Sequence, residues 1–117
     1  MDLRDLVKSL LAYDALAARQ WIADAERSGY DWSKVPQPAD LDSTASALAA
    51  GVTELMAARS GQPAPTWTAS VSAAPERVFL VRSAAAMPRL RALCEREGPE
   101  PLRRRGFFAP PEFLTAA

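Results

Sequence analysis

The residues best suited to chemistry with another molecule lie together near the end of the chain, in PLRRRGFFAPPEFL at positions 101–114. Arg103, Arg104 and Arg105 carry planar guanidinium groups that pair with carboxylates and phosphates, while Phe107, Phe108 and Phe113 add aromatic surface. Arginine and aromatic side chains dominate the energetic centres of protein interfaces, so these six are the candidate partner-binding residues. Their spacing restrains that chemistry. Consecutive helical residues point about 100° apart. In a strand, Arg104 opposes Arg103 and Arg105. The three therefore do not converge on one phosphate. The same stretch also obeys the rules for ending a helix. Pro101 suits a first turn, the arginines suit a last turn, and Gly106 suits the left-handed position beyond it. Pro110 and Pro111 then stiffen a tail whose Phe113 and Leu114 can lie back on the core.

Little other chemistry is available. The chain has no histidine and a single cysteine, Cys94. Histidine-dependent nucleophilic schemes and histidine metal ligation are thereby removed, and a zinc site is all but excluded. Cys94 sits on the apolar side of a helical pattern, where a small buried thiol fits. The five glycines are scattered and form no phosphate loop. Glu95 and Glu97, or Asp40 and Asp42, are two residues apart and diverge on a helix, which makes them poor acid–base pairs. No catalytic, cofactor-binding or metal-ligating residues are expected, and the chain is not expected to be an enzyme.

Formal net charge is zero, from 14 basic and 14 acidic side chains, but the distribution is uneven. Up to Ala74 there are six basic residues against nine acidic; from Pro75 onward there are eight arginines against five glutamates. The C-terminal part thus carries an excess of three positive charges. It serves either attraction between the two halves or contact with an anionic partner. Nucleic acid is disfavoured as that partner, because the overall charge is nil and glutamates at 95, 97 and 100 flank the arginines. A cytoplasmic location is expected. Asp2 and Asp5 do not fit a signal peptide, and no stretch reaches the roughly 20 apolar residues of a membrane span.

The elements that must position these residues are mostly helical. A length of 117 residues suits one domain, and alanine-rich composition favours helix while making the core lean in volume. Aromatics supply much of that volume: Trp21, Trp32, Trp67, Phe79, Phe107, Phe108 and Phe113. Leu3, Leu6, Val7, Leu10 and Leu11 predict a helix over 3–12. Asp14 interrupts the stripe and caps a second helix over 15–28, closed by Gly29. Tyr30 and Trp32 make the following connection a packed loop. A third helix starts near Asp40 or Asp42 and ends at Arg59, with Leu41, Ala45, Leu48, Val52, Leu55 and Met56 as its buried stripe. Gly51 within it marks a close approach by another helix. Trp67 and Val71 suggest a turn or two of helix capped by Thr66. A helix from Met87 or Pro88 ends at Gly98. RVFLV at 77–81 is the one good strand pattern, and no second such pattern offers it a partner. The expected architecture is all-α, a compact bundle of about five helices with one short extended segment near residues 77–81.

The stretches APTW at 64–67, RVFLV at 77–81, MPRLRALCE at 87–95 and PLRRRGFFAPPEFLTAA at 101–117 resemble the C-terminal segment of small actinobacterial-type antitoxin-like proteins. Such proteins end in a Pro-x-Trp element, a hydrophobic run, a Leu-Arg helix and an arginine triplet. The resemblance implies a bacterial, non-catalytic protein that holds another protein, such as a toxin encoded beside it. In those proteins the segment can follow a helix-turn-helix domain, whose pattern is absent from the first 60 residues here. The expected function is therefore a protein–protein interaction module, antitoxin-like or adaptor, with no cofactor. Alternatives are a nucleic-acid-binding transcriptional regulator and a small enzyme subunit. Self-association remains open.

Overall fold

Leu3, Leu6, Val7 and Leu10 form the buried stripe of the first helix, α1 (Leu3–Leu11), and Asp2 caps it by accepting the Arg4 N–H at 3.0 Å. Asp14 breaks the stripe as expected: its Oδ1 accepts the Ala17 N–H at 3.0 Å and starts α2 (Ala15–Arg27). The computed structural model describes residues 2–115; Met1 and the two alanines that end the tail motif lie outside them. The remaining elements are α3 (Ser43–Arg59), β1 (Val78–Phe79), α4 (Pro88–Glu97), α5 (Glu100–Arg103) and β2 (Phe107–Phe108). Short 3-10 turns occupy Trp32–Lys34, Thr66–Ser70 and Arg82–Ala85. The all-α class is correct, with two very short strands as its sole sheet among the described residues.

The third helix is the hub. Asp42 caps it through the Ala45 N–H at 2.8 Å. Its burial is broader than the expected stripe: the run Ala47–Thr53 is buried without interruption, and Leu41 precedes the helix altogether. A helix apolar on all sides is one surrounded by protein. Here α1, α5 and the 3-10 turns at Trp32–Lys34 and Thr66–Ser70 pack around it. Gly51 is what permits α5 its approach. A Cβ at this position would meet Leu102 Cδ2 at 3.1 Å and the Pro101 carbonyl oxygen at 3.2 Å.

Aromatic side chains secure the loops. Trp21, Tyr30 and Trp32 form a cluster with ring centroids 4.9–5.8 Å apart, so the connection after α2 is packed as expected. Trp67 Nε1 donates to the Val35 carbonyl at 2.7 Å, tying the 3-10 turn to that connection. The turn's N-cap is Pro65 and not Thr66, and Thr68 Oγ1 donates back to the Pro65 carbonyl at 2.9 Å.

The expectation that residues 77–81 lack a partner strand is overturned. β1 pairs in parallel with β2, Val78 opposite Phe107 and Phe79 opposite Phe108. The Val78 N–H donates to the Gly106 carbonyl at 2.8 Å and the Leu80 N–H to the Phe108 carbonyl at 2.9 Å. Parallel strands need a long crossover, which the Arg82–Ala85 turn, α4 and α5 supply. Two residues, Phe107 and Phe108, are too few to show a strand pattern, so the partner was illegible to periodicity.

Candidate interaction surface

The arginine triplet is divided among three tasks. Arg105 turns inward, with its side chain 8% exposed. Its Nε and Nη2 donate to Glu54 Oε1 and Oε2 at 2.9 and 3.1 Å, a bidentate pair with α3. Nη1 donates to the Val71 carbonyl and Nη2 to the Thr68 carbonyl, each at 2.6 Å. One guanidinium thus joins α3, the Thr66–Ser70 turn and the chain entering β2. Lysine, with a compact ammonium, lacks the fork for this. Arg104 reaches the same Glu54 Oε1 at 3.0 Å but is 52% exposed. Arg103 turns back, its Nε donating to the Gly98 carbonyl at 2.7 Å.

Burial by itself would raise the Glu54 carboxyl's pKa, but the hydrogen bonds from Arg105 and Arg104 and their charges outweigh it, leaving the group below its ordinary 4.5. A carboxyl with a depressed folded-state pKa contributes stability that is complete above the unfolded value and is lost as pH falls through the folded value. Acid titration at fixed urea is therefore expected to unfold the protein progressively below about pH 4.5. Glu54→Gln, less stable at neutral pH, is expected to show a flatter dependence over that interval.

The three candidate phenylalanines also part company. Phe107 is fully buried. Phe113 is half-buried against the core, where Arg59 Nη1 donates to its carbonyl at 2.5 Å and pins the tail. Phe108 is half-buried on the opposite face of the sheet from Phe107, as strand alternation requires. Arg105 and Phe107, two of the six residues expected to touch a partner, are therefore inside the fold, and the expected contact set loses them.

Around Phe108 the fold builds something the sequence only hinted at. Phe79 of β1 lies beside it, ring centroids 5.3 Å apart and planes at 32°. The Arg77 guanidinium sits 4.5 Å from the Phe108 centroid, and the Arg91 guanidinium from α4 sits 4.5 Å from that of Phe79. Glu95, one turn after Arg91, holds both cations: Oε2 is 2.6 Å from Arg77 Nη2, and Oε1 is 3.8 Å from Arg91 Nε. The result is a layered patch of two aromatic rings between two arginines, with one carboxylate for two positive charges. Arg77 and Arg91 are 58% and 49% exposed, so their outer faces remain open to solvent.

The strand edge adjoining this patch is unpaired. Val78 and Leu80 point their backbone donors at β2, so Phe79 directs its N–H and C=O the other way. Among the described residues neither has a hydrogen-bond partner. Sequence analysis marked 77–81 as a strand and did not single out Arg77 and Arg91. The signals were present: Arg77 and Phe79 alternate in RVFLV, and Arg91 and Glu95 have helical i, i+4 spacing.

Cys94 is fully buried, and burial pushes its thiol pKa up, which disfavours the nucleophilic thiolate. Among the described residues no group of three or more acidic or cysteine side chains is placed to hold a metal ion, and no helix is long and apolar enough to cross a membrane. Comparison with protein families, with curated proteins and with solved structures finds no match to the chain.

Proposed function

We propose that this protein is a non-catalytic module, working in the bacterial cytoplasm, that binds a partner protein through the patch formed by Arg77, Phe79, Phe108 and Arg91. The observation that carries this reading is the layering itself. Two partly exposed phenylalanines are held between guanidinium groups, and side chains already packed against one another have less entropy to lose on contact. Cation–π contacts are each worth about 0.5–2 kcal/mol, rising as water is excluded, so a partner that covers the patch strengthens it. The excess positive charge favours a partner with carboxylates at the point of contact. The unpaired edge of β1 adds one backbone donor and one acceptor, both of Phe79, for an extended segment. Likeness of the C-terminal half to antitoxin-like proteins supports the same reading, with a neighbouring toxin as the partner.

The test is co-purification of the tagged full-length chain from its native host. One protein retained in near-equal amount, and released as salt rises, is the expected result. Retention on DNA or heparin with no protein retained would replace this reading with the nucleic-acid-binding alternative.

A further inference from the structure

An open cleft of about 840 Å³ lies at the carboxyl ends of both strands. One wall is the segment 80–83 after β1, another is the tail 110–115 after β2, and the third is the junction of α1 with α2. It shares no residue with the arginine–phenylalanine patch. Its size falls within the range of about 300–1,000 Å³ typical of small-molecule sites.

Two features of this cleft point to a ligand. Tyr13 closes α1 in the left-handed conformation, φ +58°, with the Asp14 N–H donating to the Ser9 carbonyl at 2.9 Å. That helix-ending position favours glycine, and a bulky residue there costs about 1–2 kcal/mol. The ring it places on the cleft wall is 44% exposed and lies 5.1 Å from the Arg82 guanidinium. Leu114, φ +60°, lines the same cleft. Strained backbone of this kind concentrates at binding sites. The second feature is charge. Arg19 and Arg82 both line the cleft, and among the described residues neither guanidinium group has a carboxylate or hydrogen-bond partner.

We infer that this cleft binds an organic monocarboxylate with an apolar body, its charged group met by Arg82 and Arg19 and its body lying against Tyr13, Leu80 and Phe113. The two carboxylates in the wall fix the charge. Asp14 is committed to the Ala17 N–H, and Glu112 adds a second negative charge. With the Asp14 carboxylate held at the start of α2, Arg19 and Arg82 face one uncommitted carboxylate, Glu112, which leaves room for one further negative charge and opposes a dianion such as phosphate. Free medium-chain acids carry this chemistry, and so does a polypeptide C-terminus with an apolar last residue.

Titration of the ¹⁵N-labelled full chain, followed by amide chemical shifts, tests the inference with octanoate, octylamine, N-acetyl-leucine and N-acetyl-leucinamide as probes. Saturable shifts in residues 9–19, 80–83 and 110–115 are expected with the acids and not with the amine or amide. Tighter binding of octanoate identifies a free acid as the ligand, and tighter binding of N-acetyl-leucine identifies a chain terminus. Arg82→Gln and Arg19→Gln, both at exposed positions, are each expected to weaken acid binding roughly five- to tenfold with unchanged circular dichroism. Failure of both acids to saturate, octylamine binding as well as octanoate, or wild-type affinity in both variants would overturn it.

Discussion

Replacing Arg105 by methionine is expected to lower the free energy of unfolding by about 3 kcal/mol, the lower end of the cost of breaking a buried pair, because the exposed Arg104 still reaches Glu54. Glu54 is 11% exposed and loses its bidentate partner, while the Thr68 and Val71 carbonyls lose their donor. Against a total of about 5–15 kcal/mol for a domain of this size, such a loss leaves the fold marginal. Urea titration followed by far-UV circular dichroism measures it. Arg104→Ala provides the contrast. It removes a contact to the same carboxylate from an exposed side chain, and is expected to cost no more than about 1 kcal/mol. A combined Arg105→Met, Glu54→Leu variant should recover part of the loss, because it removes both charges from the interior. Equal effects at positions 104 and 105 would mean that burial does not distinguish them. Charge reversal of the whole triplet therefore mixes a folding defect at Arg105 with any effect on partner binding.

The second large effect separates two adjacent phenylalanines. Phe107→Ala empties a fully buried site and is expected to cost about 3–5 kcal/mol. Phe108→Ala removes a half-buried ring on the other face of the sheet and is expected to cost about 1–2 kcal/mol, chiefly lost packing against Phe79 and Arg77. Partner capture should respond in the opposite order. Measured at a temperature where both variants remain folded, Phe108→Ala loses the partner and Phe107→Ala keeps it. Loss of capture by Phe107→Ala alone, with folding intact, would place the contact on the wrong face.

Helix positions were legible wherever a cap residue and a periodic stripe coincided, as at Asp2, Asp14 and Asp42. The close approach at Gly51 was legible too, because a glycine inside a helix needs a reason. The all-round burial of α3 was not, since alanine scores as weakly apolar on every face and only its neighbours decide. The division of the arginine triplet was illegible for a related reason. Sequence places three cations side by side, but which one turns inward depends on Glu54, far away in the chain. The patch was half-visible: 77–81 was marked as a strand, but its parallel partner is two residues long and is brought alongside by a crossover.

Capture of the co-purifying partner by an Arg77→Ser, Arg91→Ser variant, set beside the wild-type chain and an Arg103→Ser, Arg104→Ser variant, tests the proposed surface most directly. All four arginines are at least partly exposed, so each pair changes surface charge equally while the Arg105–Glu54 pair stays intact. The predicted result is loss of the partner in the first variant and retention in the second, at unchanged circular dichroism. Retention by the first and loss by the second would return the contact to the arginine triplet and contradict the assignment to the arginine–phenylalanine patch.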